Sequence, residues 1–377
     1  MSTPSFAIWV VAPPGFEEVV ADEVRELAAR PVHLRPGGVE LDGSLVDAAG
    51  LVLWSRTAAR VLVQLAEIPA ASAQQVRAEA GRVPWNLVLH RGQRYSVKAS
   101  LNESKIQRID TVEHHVEMAI KDAMRGPHLG EGARLPELLV RVRVQGKTAR
   151  ISVDAGGMLH QRGYRLATAK APIRENLAAA VLLAAGWKPG EPLADPVCGS
   201  GTFIIEAAGM AAGRAPGLHI DPVIRHAPTF PKKVWEAMLK EARAAEEPAV
   251  GAFFGADRDP GAIRATTENA QRAGILPALR LSCKAIDEPW PAAMPPRGLV
   301  VMNPPYGVRV SVNAEMGGLY RIFGRALAAQ HAGWRLAVLT PDRTLAARLM
   351  PKPEQVARFS NGGIPVSLWV GEIPGGT

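Results

Sequence analysis

A strand, a glycine-rich turn and the start of a helix follow one another in residues 193–208, and this unit constrains the fold more than any other stretch. Its sequence is Leu-Ala-Asp-Pro-Val-Cys-Gly-Ser-Gly-Thr-Phe-Ile-Ile-Glu-Ala-Ala. Gly199 and Gly201 allow a ligand to approach the backbone closely, and Ser200 or Thr202 can cap the helix. The free amides at such a helix start point toward a carboxylate or a phosphate. We therefore predict an α/β unit with a ligand at this turn.

The details of the turn narrow the class of ligand. A dinucleotide-binding turn prefers a third glycine where this chain has Ile204, and an acidic residue, Asp195, precedes the turn. The motif also lacks the Lys-Ser or Lys-Thr pair that holds a nucleoside triphosphate and its magnesium ion. The turn therefore favours an amino-acid-bearing nucleoside over a triphosphate.

Helices and short apolar strands alternate from Ala171 onward, which predicts a doubly wound sheet. The predicted elements are a helix over Ile173–Ala185 and strands over Pro192–Asp195, Phe253–Ala256, Leu279–Cys283, Leu299–Met302 and Leu336–Leu339. Ligands of such sheets bind at the carboxyl ends of the strands. Asp195, Asp257, Asp287 and Asn303 all fall at those ends, so we expect them to share one pocket.

Two acids follow the second of these strands, and the sequence assigns them different roles. Asp257 ends the strand, where doubly wound folds place a carboxylate that binds ribose hydroxyls. Asp259 precedes Pro260, a good first residue of a helix, and we expect it to start the helix over Ala262–Ala273.

The segment Val300–Gly307 places an amide, two prolines and an aromatic ring directly after an apolar strand. The side-chain oxygen of Asn303 and the carbonyl of Pro304 can each accept one hydrogen of an exocyclic amine. Tyr306 can stack on the base that carries this amine. The prolines restrict the backbone so that both acceptors converge. The alternative is a strand that ends at proline and is followed by a turn.

The amino-terminal half contains mixed helices and strands and no catalytic constellation. We predict a small α/β unit over residues 1–50, a second module over 51–155 and a linker over 156–171 before a domain over 172–377. The second module includes an amphipathic helix over Asp110–Met124. Lys105 and Arg108 lie in a polar connection that can contact phosphates or be a solvated loop.

Composition narrows the class of protein further. The chain of 377 residues has 44 Lys and Arg against 36 Asp and Glu, a net charge of +8 that is compatible with a nucleic-acid partner. No stretch has the length of a membrane span or the pattern of a signal peptide, so we expect a cytoplasmic protein. The two cysteines, Cys198 and Cys283, lack metal-binding spacing, so we expect no metal, and Cys198 is interpreted as a packing residue.

Taken together, these motifs resemble class I S-adenosylmethionine-dependent methyltransferases, and more narrowly the THUMP-domain RNA guanine-N2 methyltransferases. The match looks close to the amino-terminal methyltransferase half of the bifunctional large-subunit ribosomal RNA methyltransferases. The resemblance rests on the following segments: Pro14–Glu18, Leu53–Arg56, Ile120–Ala123, Arg162–Arg165, Ala171–Glu175, Asp195–Ala208, Arg214–Gly217 and Asn303–Gly307.

The resemblance implies a fold, an activity and a set of site residues. The expected fold is a Rossmann-like class I methyltransferase domain preceded by a ferredoxin-like α/β unit and a THUMP domain. The expected reaction gives N2-methylguanosine and S-adenosylhomocysteine. The implied catalytic residues are Asn303, Pro304 and Tyr306, and the implied cofactor residues are Asp195, Pro196, Cys198, Gly199, Ser200, Gly201, Thr202, Asp257, Asp287 and Asn303.

The implied partner is RNA, with large-subunit ribosomal RNA first and transfer RNA second, bound by a monomer. RNA contacts are expected from Lys105, Arg108, Lys121, Arg162 and Arg165, although the last two can instead clamp two domains together. A non-catalytic RNA-binding or assembly factor that retains the pocket is an alternative of another class.

Two departures from the family limit the transfer of roles. Ala285 stands near the usual position of the acid that binds adenine, so the assignment of Asp287 is provisional. The second methyltransferase unit of the fused enzymes is also missing after Thr377, so we expect one modification and not two.

Overall fold

The structure is a computed structural model of the chain, and it describes residues 4–125, 134–166, 173–291, 293–305 and 313–375. Its strands are β1 (Phe6–Val11), β2 (His33–Arg35), β3 (Gly38–Gly43), β4 (Arg60–Pro69), β5 (Tyr95–Asn102), β6 (Leu138–Gln145), β7 (Thr148–Asp154), β8 (Leu193–Asp195), β9 (Phe253–Asp257), β10 (Leu279–Cys283), β11 (Leu299–Met302), β12 (Arg335–Thr340), β13 (Glu354–Asn361) and β14 (Ile364–Glu372). Its helices are α1 (Glu17–Ala28), α2 (Leu45–Trp54), α3 (Ala73–Ala80), α4 (Ile109–Ala123), α5 (Glu175–Ala184), α6 (Thr202–Ala211), α7 (Val234–Ala244), α8 (Pro260–Arg272), α9 (Asn313–Gln330) and α10 (Arg343–Ala346).

The chain divides into two compact units, each with its own sheet. The amino-terminal unit holds residues 1–12, 21–159 and 220–241, and the carboxyl-terminal unit holds residues 13–20, 160–219 and 242–377. Among the described residues, no helix combines the length and apolarity that crossing a lipid bilayer requires.

The amino-terminal unit is built on a seven-stranded sheet in the order β2-β3-β1-β4-β7-β6-β5. Strands β5 and β6 are parallel, whereas the other neighbours are antiparallel. Alternate residues of β1 are buried, and Ile8 and Val10 are fully enclosed, as expected for a sheet with one face on the core. This sheet runs through both of the modules predicted for residues 1–155, and the predicted domain bounds stay a prediction.

Two helices of this unit show why the sequence forms them. Helix α2 begins with a reciprocal capping box, in which the side chains of Ser44 and Asp47 each accept from the other residue's backbone N–H. Helix α4 buries Val112, Val116 and Ile120 on one face, which confirms the amphipathic helix predicted there.

The carboxyl-terminal unit contains the predicted doubly wound sheet, in the order β10-β9-β8-β11-β12-β14-β13. The strands from β10 to β12 are parallel, and β14 is antiparallel to both of its neighbours. The chain moves outward from β8 to β10 on one side and from β11 to β12 on the other, where β14 and then β13 complete the sheet. The order of strands therefore reverses between β8 and β11, and ligands of such sheets bind at that reversal.

Both faces of the central strand β11 are buried. Leu299 and Val301 of β11 belong to one apolar core, whereas Val300 and Met302 belong to the other. A strand that is enclosed on both faces reads as a continuous apolar run in the sequence. For this reason β11 has the bounds that the sequence predicted. The edge strand β10 also has its predicted bounds, although its residues are only partly buried.

Candidate active site

The glycine turn between β8 and α6 uses backbone conformations that glycine adopts readily. Gly199 has φ of +56° and Gly201 has φ of +81°, both in the left-handed region. Gly201 is the N-cap residue of α6, and no side chain caps the helix. The prediction that Ser200 or Thr202 caps α6 is therefore wrong, because the left-handed Gly201 occupies that position. The turn thus exposes backbone without a capping side chain in front of it.

Two polar residues of α8 hold this turn in place. The Thr266 hydroxyl donates to the carbonyl of Gly199 at 2.8 Å, and the Asn269 amide donates to the carbonyl of Ser200 at 3.1 Å. Both side chains are fully buried. The sequence interpretation did not include them, although two polar residues on the buried face of an amphipathic helix were a signal that they bond to something.

Asp257 ends β9 and contacts the turn directly. One carboxylate oxygen accepts from the Gly199 amide at 3.0 Å, and the other accepts from the Asp259 amide at 2.9 Å. Each carboxylate oxygen can accept a further hydrogen bond, so Asp257 can also bind the hydroxyl groups of a ligand. Asp259 itself caps α8 by accepting from the Gly261 amide at 2.8 Å, as predicted.

Asp195, at the end of β8, is buried. Burial raises the pKa of this carboxyl group well above its usual range, and the nearby charge of Asp257 raises it further, while the Val197 amide works against the shift. The adjacent Pro196 and Cys198 are also buried. Burial likewise raises the pKa of the Cys198 thiol, which lies 3.8 Å from the Thr266 hydroxyl. Cys198 therefore stays protonated and fills space in the turn.

The acceptor motif follows β11 at the same edge of the sheet. Asn303 is half-buried and Pro304 is buried, immediately after the enclosed Met302. Tyr306 and Gly307 lie outside the described residues. The structure thus brings the glycine turn, Asp257 and the start of the acceptor motif to the carboxyl ends of β8, β9 and β11, which are neighbours in the sheet.

Asp287 is less closely associated with these groups. It lies in an exposed turn four residues after β10. The first residue after that strand is Lys284, whose backbone amide donates to the carbonyl of Asp257 at 3.1 Å. The segment after β10 therefore starts beside Asp257, whereas the carboxylate of Asp287 faces solvent.

The structure corrects the assignment of Arg162 to RNA binding. Its side chain is 4% exposed and forms an ion pair with Glu206 of α6, which also accepts from the Tyr164 hydroxyl at 2.8 Å. A guanidinium group enclosed in this way has no face left for an RNA phosphate. Arg165 makes a two-pronged bond to Glu175, with both distances 3.0 Å. These arginines hold residues 160–166 to helices of their own unit.

The other predicted RNA contacts are accessible. Lys105, Arg108 and Lys121 are exposed in the amino-terminal unit. Arg108 bonds through two nitrogens to Asp110, only two residues away, at 2.5 Å and 3.1 Å. An exposed pair of this kind contributes little to stability, so Arg108 can exchange its partner at low cost.

Comparison with known proteins gives the family. Residues 162–368 match the family described as the RMKL-like methyltransferase domain, and this match covers more than half of the chain. The chain belongs to this methyltransferase family. Residues 7–62 match the domain described as the RlmL ferredoxin-like domain, which agrees with the expected amino-terminal fold.

Two relatives have the description ribosomal RNA large subunit methyltransferase K/L. The protein of Syntrophotalea carbinolica is 36% identical over 375 residues, which are 96% of this chain and 52% of the relative. The protein of Hahella chejuensis is 34% identical over 391 residues, which are 98% of this chain and 53% of the relative. The chain therefore spans about half the length of the curated relatives it matches.

Solved structures share the fold over nearly the whole chain. A candidate methyltransferase complexed with SAH has a TM-score of 0.87 and 26% identity, with 100% of both chains covered. A candidate N6-adenine-specific DNA methylase from Listeria monocytogenes has a TM-score of 0.85 and 26% identity, over 98% of this chain and 97% of the other.

Proposed function

We propose that this family member uses S-adenosylmethionine to methylate the exocyclic N2 amine of a guanosine in large-subunit ribosomal RNA. The observation that carries the proposal is the convergence of three groups at the strand ends. They are the glycine turn after β8, the carboxylate of Asp257 after β9 and the acceptor motif that begins with Asn303 after β11. A nucleoside cofactor and a planar amine can therefore meet at one edge of the sheet.

The residues present fit the cofactor. Gly199 and Gly201 have no side chain that would keep a ligand from the backbone, and Asp257 retains acceptor capacity for ribose hydroxyls. Asp195 is a buried carboxylate, and a cationic ammonium group beside it would offset the cost of burying its charge. When bound, S-adenosylmethionine supplies a methyl group that is already activated by a positively charged sulfur. Asp287 stays a provisional adenine contact.

The acceptor motif suits a weakly nucleophilic amine. The lone pair of the guanine N2 amine is delocalised into the ring, so the enzyme has to orient it and favour a more tetrahedral nitrogen. In the proposal, Asn303 and the carbonyl of Pro304 accept the two amine hydrogens, and Tyr306 stacks on the base. Bulk solvent can receive the proton that leaves the amine, so no dedicated base is assigned.

RNA delivery is assigned to the amino-terminal half. We propose that residues 51–155 form a THUMP-type module that orients the RNA, with phosphate contacts from Lys105, Arg108 and Lys121. A guanine within a stem would have to leave the base stack to reach the edge of the sheet. The ribosomal substrate is suggested by what the two curated relatives are called.

A methyl-transfer assay with defined substrates tests the proposal. The purified chain is incubated with isotopically labelled cofactor and, in separate reactions, with large-subunit ribosomal RNA, transfer RNA and double-stranded DNA. Digestion and mass spectrometry of the nucleosides then identify the product. We expect labelled N2-methylguanosine from ribosomal RNA.

The other products contradict the proposal in distinct ways. Labelled N2-methylguanosine from transfer RNA alone would mean that the substrate is transfer RNA and not ribosomal RNA. Labelled N6-methyladenine from DNA would mean that the enzyme methylates adenine in DNA and not guanine in RNA. No labelled product from any substrate, despite measured cofactor binding, would favour the non-catalytic factor. Asn303→Ala is the catalytic control, because it should keep the affinity for S-adenosylhomocysteine while slowing turnover about 10²- to 10³-fold.

A further inference from the structure

The stretch from α9 to the start of β13 has an uneven charge. Residues 316–353 contain one acid, Asp342, and the following six basic residues: Arg321, Arg325, Arg335, Arg343, Arg348 and Lys352. Arg335 is paired with Glu191 at 2.7 Å, and the carboxylate of Asp342 caps α10. The other basic residues of this stretch therefore give the carboxyl-terminal unit an excess of positive charge here.

Three of these arginines line one groove of about 520 Å³, which lies between α9 and the segment that follows α10. Arg321 and Arg325 belong to α9, and Arg348 belongs to the opposite wall. Leu349 and Met350 add apolar surface to that wall. No acid is among the described residues that line it. We call this cleft the α9 groove.

Two glycines of α9 allow the opposite wall to approach the helix. A Cβ on Gly324 would lie 2.2 Å from the carbonyl oxygen of Arg348, and a Cβ on Gly317 would lie 3.1 Å from its guanidinium carbon. The guanidinium group donates to the carbonyl of Gly317 at 2.9 Å. This bond fixes the Arg348 side chain against α9, so the wall and its charge are held in place by the fold itself.

The two arginines of α9 are placed at a cost to the helix. Arg321 and Arg325 are exposed and four residues apart, so they lie on the same face. Within the described ranges, neither has a carboxylate at ion-pair distance. Like charges at this spacing destabilise a helix. Two uncompensated cations that repel each other favour a role in binding an anion.

The direction of α9 relates the groove to the acceptor motif. Strands β11 and β12 are parallel, so the helix that joins them runs from the carboxyl ends of the strands back to the amino ends. The start of α9 is therefore its end nearest the acceptor motif. Arg321 follows Asn313, the first residue of α9, by eight positions, which is about 12 Å along the helix. A few nucleotides of RNA span such a distance.

We propose that the α9 groove binds the phosphate backbone of the RNA substrate beside the nucleotide that enters the acceptor motif. Planar guanidinium groups match the geometry of phosphate. Phosphate contacts position an RNA without reading its sequence. This inference rests on the proposed function, and it adds an RNA contact on the carboxyl-terminal unit to those assigned to the amino-terminal module.

Matched charge substitutions test the α9 groove. Arg321→Gln with Arg325→Gln removes two positive charges from it. The control, Lys188→Gln with Arg264→Gln, removes two charges from exposed positions that follow α5 and lie on α8. Helices α5 and α8 contribute to one apolar core and α9 to the other, so the control positions lie across the sheet from the groove. The probe is a fluorescently labelled single-stranded oligouridylate, and anisotropy measures its dissociation constant over a range of salt concentrations.

We expect the groove variant to bind oligouridylate about tenfold more weakly at physiological salt. The slope of log affinity against log salt should become shallower by about 0.7 for each lost phosphate contact. The control variant should bind like the parent. In both variants, the affinity for S-adenosylhomocysteine and the free energy of unfolding should stay near the parent values. With ribosomal RNA as substrate, the groove variant should raise KM and leave kcat unchanged.

Three results would overturn the inference. Equal weakening in both variants would mean that net charge, and not the groove, sets the affinity for RNA. Unchanged binding with an unchanged salt dependence in the groove variant would mean that these arginines do not contact RNA. If polyglutamate bound the parent as tightly as oligouridylate and lost its binding through the same substitutions, the groove would bind an acidic polypeptide instead.

Failure of the proposed function has a different signature. A parent that binds oligouridylate through Arg321 and Arg325 but transfers no methyl group to RNA would contradict the proposed reaction. The groove would then still be an RNA-binding site. Binding and methyl transfer are measured separately, so the two outcomes are distinguished.

Discussion

Replacing Gly201 by alanine tests how tightly the glycine turn is packed. An added Cβ would lie 2.5 Å from the Thr266 methyl carbon and 3.0 Å from its hydroxyl oxygen. Thr266 is fully buried, and its hydroxyl donates to the carbonyl of Gly199 at 2.8 Å. The side chain therefore cannot turn away without losing that bond. Gly201→Ala should destabilise the carboxyl-terminal unit through both backbone strain and steric overlap.

The structure allows these two costs to be separated. A left-handed alanine costs about 1–2 kcal/mol, and an extra methyl group in a packed core costs about 1–3 kcal/mol. Gly190 has φ of +93° in the same unit, but an added Cβ there would meet no atom within 4 Å. Gly190→Ala should therefore show the backbone cost alone. We expect Gly201→Ala to lose about 1–3 kcal/mol more than Gly190→Ala does.

Urea unfolding of a small set of variants measures the difference. Thr266→Ser removes the methyl group that would clash and keeps the hydroxyl, at a cost of about 0.5–1.5 kcal/mol by itself. Combined with Gly201→Ala, it should recover most of the steric excess. The reasoning is refuted if Gly201→Ala costs no more than Gly190→Ala, or if Thr266→Ser brings no recovery.

Three further predictions concern charged groups. Asp257→Ala should weaken S-adenosylmethionine binding roughly ten- to a hundredfold by calorimetry, whereas Asp259→Ala should mainly reduce stability through the lost cap; equal affinities in the two variants would contradict the ribose assignment. Arg162→Met should lower the free energy of unfolding by about 3–5 kcal/mol because it leaves the carboxylate of Glu206 buried alone, and adding Glu206→Gln should recover part of this loss in the same urea titration. Burial lowers the pKa of His331 from 6.5 to about 4, so the stability that its neutral ring contributes is full above pH 6.5 and is lost as the pH falls toward 4. The stability difference between the parent and His331→Gln should therefore shrink by about 2 kcal/mol between about pH 7.5 and about pH 5. A constant difference would argue against a buried neutral ring.

The sequence predicted those elements in which the pattern of apolar and polar residues follows directly from which positions are buried. Strand β11 is apolar at every position because both faces are covered, so its bounds were readable from composition. Helix α4 shows its buried face by apolar residues at four-residue spacing. The antiparallel hairpin of β13 and β14 was not predicted. The exposed positions along β13 leave it without a continuous apolar run.

The contacts that hold the site were harder to predict because they join distant residues. Thr266 bonds to Gly199 across 67 positions, and Arg162 bonds to Glu206 across 44 positions. Nothing in the local pattern around Arg162 separates a buried guanidinium from one that binds RNA, since a glycine-rich segment suits both. The informative residue was its partner, because Glu206 is the sole charged residue in the otherwise apolar helix α6.

A lone acid in an apolar helix has physical consequences that reach back to Arg162. A buried carboxylate is costly unless a cation and further hydrogen bonds compensate it, and Glu206 obtains both from Arg162 and the Tyr164 hydroxyl. Residues 160–166 are therefore needed by the helix that follows the glycine turn. This explains in energetic terms why a stretch predicted to be a linker belongs to the carboxyl-terminal unit. It also means that a substitution in this stretch would alter the packing of α6, whose first turn adjoins the proposed cofactor site, without any change in the residues that face the cofactor.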